Sequence, residues 1–177
     1  MDRRQELIER SIPFLQRVAD RTAGEQLDRW LNDTYGPDSM LYRDLARLIR
    51  HGVEDGWAAN VEVDGPDYRR SLISQPSPET LYFGITAVYM NSVSPYRGQY
   101  PAHPYGEINL VAPIDPEARL MGPRGWQGRG WTAPGPGSHH FPEVRGGALI
   151  ALFYLPAGRI SYDIQPPRHP QGRHDDR

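Results

Sequence analysis

Histidine and glutamate at short spacing offer metal ligation or acid–base chemistry, and one stretch of this 177-residue chain holds such a pair. In Tyr100-Pro-Ala-His-Pro-Tyr-Gly-Glu-Ile-Asn-Leu, His103 stands four residues before Glu107. Pro104 and Gly106 between them imply a turn that can bring both side chains to one point. Downstream, Gly135-Pro-Gly-Ser-His-His-Phe-Pro places His139 and His140 on another turn entering a strand. Adjacent residues of a strand face opposite sides, so only one of these two can point inward, and spacing alone does not say which. Two imidazoles and one carboxylate on a rigid scaffold suit divalent iron, manganese or zinc, with coordination positions left open for substrate. Without a metal the same three groups can give, take or hold protons. The plainer reading is that the histidines are hydrogen-bonded turn residues.

These residues need elements to position them. Leu7, Ile8, Ile12, Leu15 and Val18 recur at helical spacing, with Pro13 expected to kink or break the helix. Thr22 and Glu25 read as a capping box opening a second helix, and a third is expected from Asp38 or Ser39 to a stop at Gly52. His51 beside that stop has an adequate structural role as a cation at a helix end. From Gly56 the pattern alternates: Trp57, Ala59, Val61 and Val63, then a turn at Asp64-Gly65-Pro66. Further strands are expected at 68–74, 81–90, 107–112, 118–121, 130–133, 148–155 and 159–163. The expected organisation is therefore a helical segment over 1–52 packing on a β-barrel over 53–165, with a disordered tail over 166–177. His169 and His174 fall in that tail, where no geometry would hold a ligand.

Composition narrows the classes. A net charge of −2 gives no field that gathers nucleic acid or an anionic membrane, so neither is expected as a partner. The absence of cysteine excludes disulfides, thiolate metal sites and a cysteine nucleophile. No apolar run reaches the roughly 18 residues of a membrane span, and Met1 to Glu9 is charged, so the cytoplasm is the expected compartment. No glycine-rich dinucleotide fingerprint or phosphate loop is present, and neither nicotinamide nor flavin is expected.

The spacing of His103 and Glu107, with Gly137-Ser138-His139-His140, resembles the two motifs of cupins. That resemblance implies a mainly β, cupin-like jelly-roll barrel with an N-terminal helical extension, and a homodimer. Pro101 stands where the first cupin motif ordinarily has another histidine, so at most His103, Glu107 and His140 would ligate a metal, and a metal-free site stays open. A longer stretch, from about Trp57 to Tyr162, resembles the 4-hydroxylaminobenzoate lyase family. The resemblance is carried by His103-Pro104-Tyr105-Gly106-Glu107-Ile108-Asn109, the pairs Gly125-Trp126 and Gly130-Trp131, and Ser138-His139-His140-Phe141-Pro142. The runs Arg145-Gly146-Gly147-Ala148 and Leu155-Pro156-Ala157-Gly158-Arg159-Ile160 complete it.

Such a family implies a small aromatic hydroxylamine converted to a catechol, protocatechuate, with loss of ammonia and no net redox change. Glu107 would then be the general acid and His103 or His140 would hold or deprotonate water. Arg69, Arg70 and Arg97 are candidates to grip a benzoate carboxylate. Tyr89, Tyr105, Trp126 and Trp131 are candidates to stack on the ring, although each is also a natural core residue. Two other classes remain: a metal-dependent cupin oxygenase using the same two histidines and carboxylate, and a non-catalytic cupin that binds a small ligand.

Overall fold

A computed structural model describes residues 2–97, 102–103, 106–139 and 142–156, with the backbone alone for 102–103 and 138–139. Three helices come first: α1 (Arg3–Val18), α2 (Glu25–Thr34) and α3 (Met40–Asp55). The strands that follow are β1 (Val61–Glu62), β2 (Tyr68–Ser74), β3 (Phe83–Ser92), β4 (Tyr96–Arg97), β5 (Ala102–His103) and β6 (Ile108–Pro113). After them come β7 (Arg119–Gly122), β8 (Gly125–Gln127), β9 (Gly130–Thr132), β10 (Ser138–His139), β11 (Glu143–Arg145) and β12 (Gly147–Pro156). No helix among the described residues is long and apolar enough to cross a membrane.

Local chemistry sets the helix ends. The Asp2 carboxylate accepts from the Arg4 N–H and the Ser39 hydroxyl from the Tyr42 N–H, each satisfying a donor that the first turn leaves open. Pro13 does not end α1, which runs through to Val18. The hydrogen bond that proline forfeits is outweighed by the buried stripe of Leu7, Phe14, Leu15 and Val18. Thr22 does not cap α2: the helix starts at Glu25 behind Gly24, so the glutamate stands one position into the helix instead of three. Gly52 is not the stop of α3. It is buried inside the helix because the Trp57 ring folds back to within 2.7 Å of where a β-carbon would sit. Gly56, left-handed at φ 83°, ends the helix, which places His51 before the last turn with its Nδ1 3.8 Å from Glu54.

The strands form two main antiparallel sheets, one in the order β1-β2-β3-β12-β6-β9 and the other β4-β11-β7-β8, plus the short pair β5-β10. Alternation divides the larger sheet cleanly. One face, with Ile85, Ala87, Ile108, Leu110, Ile150, Leu152 and Tyr154, packs under the helices against Leu7, Phe14, Leu45 and Ile49. The other face, with Val88, Met90, Val111, Leu149, Ala151 and Phe153, meets Leu120 and Val144 of the smaller sheet and Ala118 just before it. Burial of each such large aliphatic side chain is worth about 1.5–3 kcal/mol. The result is a mainly β, cupin-like jelly-roll barrel with N-terminal helices.

Polar clasps fix the helices to the sheet. The Tyr154 hydroxyl lies 2.8 Å from that of Ser11, and burial raises the phenol above its usual range. Arg4 donates to the carbonyls of Leu72 and Ile73, where β2 bulges and its own ladder is interrupted. The alternation from Trp57 to Val63 does not make a strand of that length; Ala59 takes φ 49° and pairing begins only at Val61. The expected strand at 159–163 and the tail lie outside the described residues.

Candidate active site

Position along the strands decides which barrel-facing residues are polar. On the inner face a row runs across the larger sheet by register: Thr86 opposite Phe153, Phe153 opposite Asn109, Asn109 opposite Thr132. Glu107 precedes Asn109 by two residues and so shares its face. All four polar members, Thr86, Glu107, Asn109 and Thr132, are buried. Further along the same face the residues turn apolar: Val88, Ala151 and Val111, then Met90 and Leu149.

Glu107 is 2% exposed and sits just before β6. Its N–H donates to the Pro134 carbonyl at 3.2 Å, tying it to the segment that leads into Ser138. The preceding Gly106, at φ 76°, runs so close to Ala23 and to the Pro134 carbonyl that any β-carbon would meet them at 2.7 and 2.8 Å. The Asn109 Nδ2 donates to Glu107 Oε1 at 3.0 Å and to Thr132 Oγ1 at 3.1 Å. The carboxylate is therefore held by an amide that is itself anchored on the neighbouring strand.

The two segments that the sequence singles out meet in the backbone. In the β5–β10 pair His103 stands opposite Ser138, and Ala102 opposite His139. Tyr105 and His140 lie outside the described residues, as do the side chains of His103 and His139. Among the described residues no three histidine, aspartate or glutamate side chains gather at one point.

The remaining candidates fall in different places. Arg70 occupies the inner face of β2, opposite Val61 and Val88. Arg69, one residue away, faces the other side, with its guanidinium over the Tyr89 ring at 4.2 Å. Arg97 lies on β4 opposite Glu143, 3.7 Å from its carboxylate, and its side chain is 65% exposed. Trp126 lies on β8 with the Arg145 guanidinium 4.4 Å over its ring, and it lines a cavity of about 280 Å³ with Arg124, Gln127 and Thr132. Trp131 does not face the barrel interior. It is fully buried under the helices, its ring 4.9 Å from Phe14 and its Nε1 donating to the Tyr35 carbonyl at 2.7 Å. The strand register puts its neighbour Thr132 inside and the tryptophan outside, so it is a core residue.

Three contributors escaped the sequence reading. Asn109 was detectable, since a residue two beyond Glu107 on a strand must share its face. Thr132 was not, because its nearness to Asn109 rests on strand pairing across 23 residues. Asp28 was hidden in a helix. It is 1% exposed, accepts from the Ala133 N–H at 3.2 Å and lies 3.4 Å from Arg124, and burial raises its carboxyl above the usual value. With Asn32, which both accepts from the Trp131 N–H and donates to the Trp131 carbonyl, it pins the edge strand β9 to α2.

Comparison with known proteins places this geometry. A family model described as 4-hydroxylaminobenzoate lyase matches residues 9–162. A 4-hydroxylaminobenzoate lyase of Nocardioides sp. (strain LMS-CY) is 67% identical over 163 residues, covering 92% of this chain and 96% of that protein. One of Pseudomonas putida is 56% identical over 173 residues, covering 93% and 98%. A solved structure of an uncharacterized conserved protein with a double-stranded β-helix domain from Klebsiella pneumoniae aligns with a TM-score of 0.38 at 14% identity, covering 56% of this chain and 85% of that one. Family match and relatives agree along nearly the whole chain, and the protein belongs to the 4-hydroxylaminobenzoate lyase family.

Proposed function

We propose that this protein is a lyase acting on 4-hydroxylaminobenzoate or a close aryl hydroxylamine, yielding protocatechuate and ammonia. The observation that carries the reading is the buried Glu107 carboxylate, held by Asn109 at the polar end of a barrel whose relatives are lyases of that name. The overall change consumes one water and is redox-neutral. The N–O bond breaks with its electron pair leaving on oxygen, which departs as water once protonated. Water then adds to the ring carbon beside the C–N carbon. A second water displaces nitrogen as ammonia, and loss of a ring proton restores the aromatic ring.

Glu107 supplies the proton to the departing oxygen. Because Asn109 donates to Oε1, the transferable proton resides on Oε2, which is thereby the working oxygen. After the transfer the carboxylate is the base for incoming water. His103 and His140 orient that water, and Arg70 on the inner face is the partner for the substrate carboxylate. Tyr105 and Trp126 are the aromatic walls.

The donor set fits a divalent metal as well: Glu107 is a buried, oriented carboxylate on a segment paired with the one that follows Pro134. His103, Glu107 and His140 would hold iron, manganese or zinc, which when bound supplies Lewis acidity toward the hydroxylamine oxygen. Incubation of purified protein with 4-hydroxylaminobenzoate tests the reading. Ammonia and protocatechuate are expected in equal amounts, and elemental analysis of the same sample separates the two schemes. Absence of both products overturns the function.

A further inference from the structure

Asn109 carries more than its bond to Glu107. Its side chain is buried, and both hydrogens of Nδ2 are used, toward Glu107 Oε1 and Thr132 Oγ1. Glu107 Oε1 accepts this bond both when the group is ionised and when its proton sits on the other oxygen, which keeps the amide in the orientation observed. In that orientation the carbonyl oxygen, Oδ1, is buried and has no hydrogen-bond partner among the described residues. Buried acceptors are nearly always satisfied, and one left open beside a candidate acid is a socket for a donor.

We propose that Asn109 Oδ1 accepts a hydrogen bond from the N–H or O–H of the substrate's hydroxylamino group. Asn109 is thus a specificity-determining residue. Its carbonyl selects para-substituted benzoates whose substituent carries a donor, and its Nδ2 sets Glu107 beside that substituent. Substituents offering only acceptors, such as a nitro group, face lone pair against lone pair and are rejected. The inference rests on the lyase reading for the identity of the substituent, but its contact can be measured without turnover.

The test is the binding of two inert benzoates by calorimetry, 4-aminobenzoate with N–H donors and 4-nitrobenzoate with acceptors only. The wild type is expected to favour the amino compound by on the order of tenfold or more, the ordinary value of one buried hydrogen bond. Asn109→Leu should reduce that preference to within about twofold, again by loss of that one bond. Asn109→Ser, the smaller replacement, serves if the leucine variant does not melt cooperatively. Glu107→Gln should keep the preference while losing turnover, because its side-chain carbonyl still accepts from Asn109. A preference unchanged in both Asn109 variants overturns the proposal and leaves Asn109 as a positioning residue for Glu107. An Asn109-dependent preference in a protein that releases no ammonia from 4-hydroxylaminobenzoate sustains the contact and overturns the lyase reading. No preference in the wild type overturns the contact, whatever the turnover.

Discussion

The barrel interior has two ends built from the same strands. On β6, Val111 faces the apolar cluster of Val88, Leu149, Ala151, Leu120 and Val144, with Arg70 at its β2 margin, while Asn109, two residues earlier, faces Glu107 and Thr132. On β3 and β12 the same step leads from Val88 and Ala151 to Thr86 and Phe153. The backbone ladder is continuous through both ends, so the difference lies in side chains alone. The apolar end contributes transfer free energy and demands nothing of its neighbours. The polar end costs desolvation at each group, offset in part by the bonds of Asn109 to Glu107 and Thr132. A scaffold that is secure at one end can therefore hold buried polar groups, Glu107 and Asn109 among them, at the other.

That contrast can be broken from either side. The largest effect is expected at the polar end: Glu107→Gln keeps shape and the acceptor for Asn109 but removes the proton donor. Ammonia release should fall by roughly 10²–10⁴-fold, the usual contribution of a general acid, with little change in the melting midpoint. At the apolar end Leu149→Ala should do the reverse. The cavity it leaves among Met90, Val111 and Leu120 costs about 2–5 kcal/mol in denaturant unfolding, while turnover per folded molecule at moderate temperature stays near that of the wild type. Equal loss of stability and turnover in both variants would show that the two ends are not separable.

Much of this division was legible in the sequence, and the reasons it was not fully so are physical. Period-two alternation and turn-bounded apolar runs located β2 at its observed bounds and the cores of β3, β6 and β12 to within two residues, because strands buried on both faces, as those three are, read as continuous apolar stretches. The same alternation misled from Trp57 to Val63. There Trp57 packs back on Gly52 of α3, so the first half of the pattern serves a helix terminus and only Val61 enters a strand. Glu107 is singled out in the sequence by its spacing to His103. Trp131 was misplaced because composition names a residue's chemistry but not its face; that is set by the pairing of β6 with β9. Asp28 and Asn32 belong to contacts made only when α2 docks on the edge of the sheet, and Thr132 to the pairing of β9 with β6; no local pattern encodes either.

That docking is the next place to sharpen the comparison, since it supports the polar end from outside. Asp28→Asn replaces one acceptor by an NH₂ group, which must then face either the Ala133 N–H or the donors of Asn32 and Arg124. A loss of about 1–3 kcal/mol is expected near neutral pH. Burial raises the folded-state value of Asp28 above the ordinary 3.8, so the folded protein binds this proton more readily than the unfolded chain. Stability from Asp28 is thus fully present below the unfolded value and is lost as pH rises through the raised folded one. The wild type should therefore gain on Asp28→Asn as pH is lowered across that window, in paired urea titrations. A gap that narrows on acidification would mean that the Arg124 and Ala133 contacts outweigh burial.

The smallest effect is expected at Thr132, and it discriminates most finely between anchoring and packing. Thr132→Val is nearly isosteric and leaves the β6–β9 ladder intact, but it takes away the Oγ1 that receives one hydrogen of Asn109 Nδ2. The amide keeps its bond to Glu107 and loses only the second point that fixes its plane. One neutral hydrogen bond contributes about 0.5–1.5 kcal/mol, and the added methyl group recovers part of that in a buried position. Stability should consequently change by less than about 1 kcal/mol, while ammonia release falls by roughly three- to tenfold as the Asn109–Glu107 pair samples less productive orientations. The loss should appear in kcat more than in KM, because the proposed partner of the substrate carboxylate is Arg70 on β2. If Thr132→Val instead weakens KM alone, the threonine contacts the ligand directly, and the boundary of the polar end must be moved one strand outward to β9.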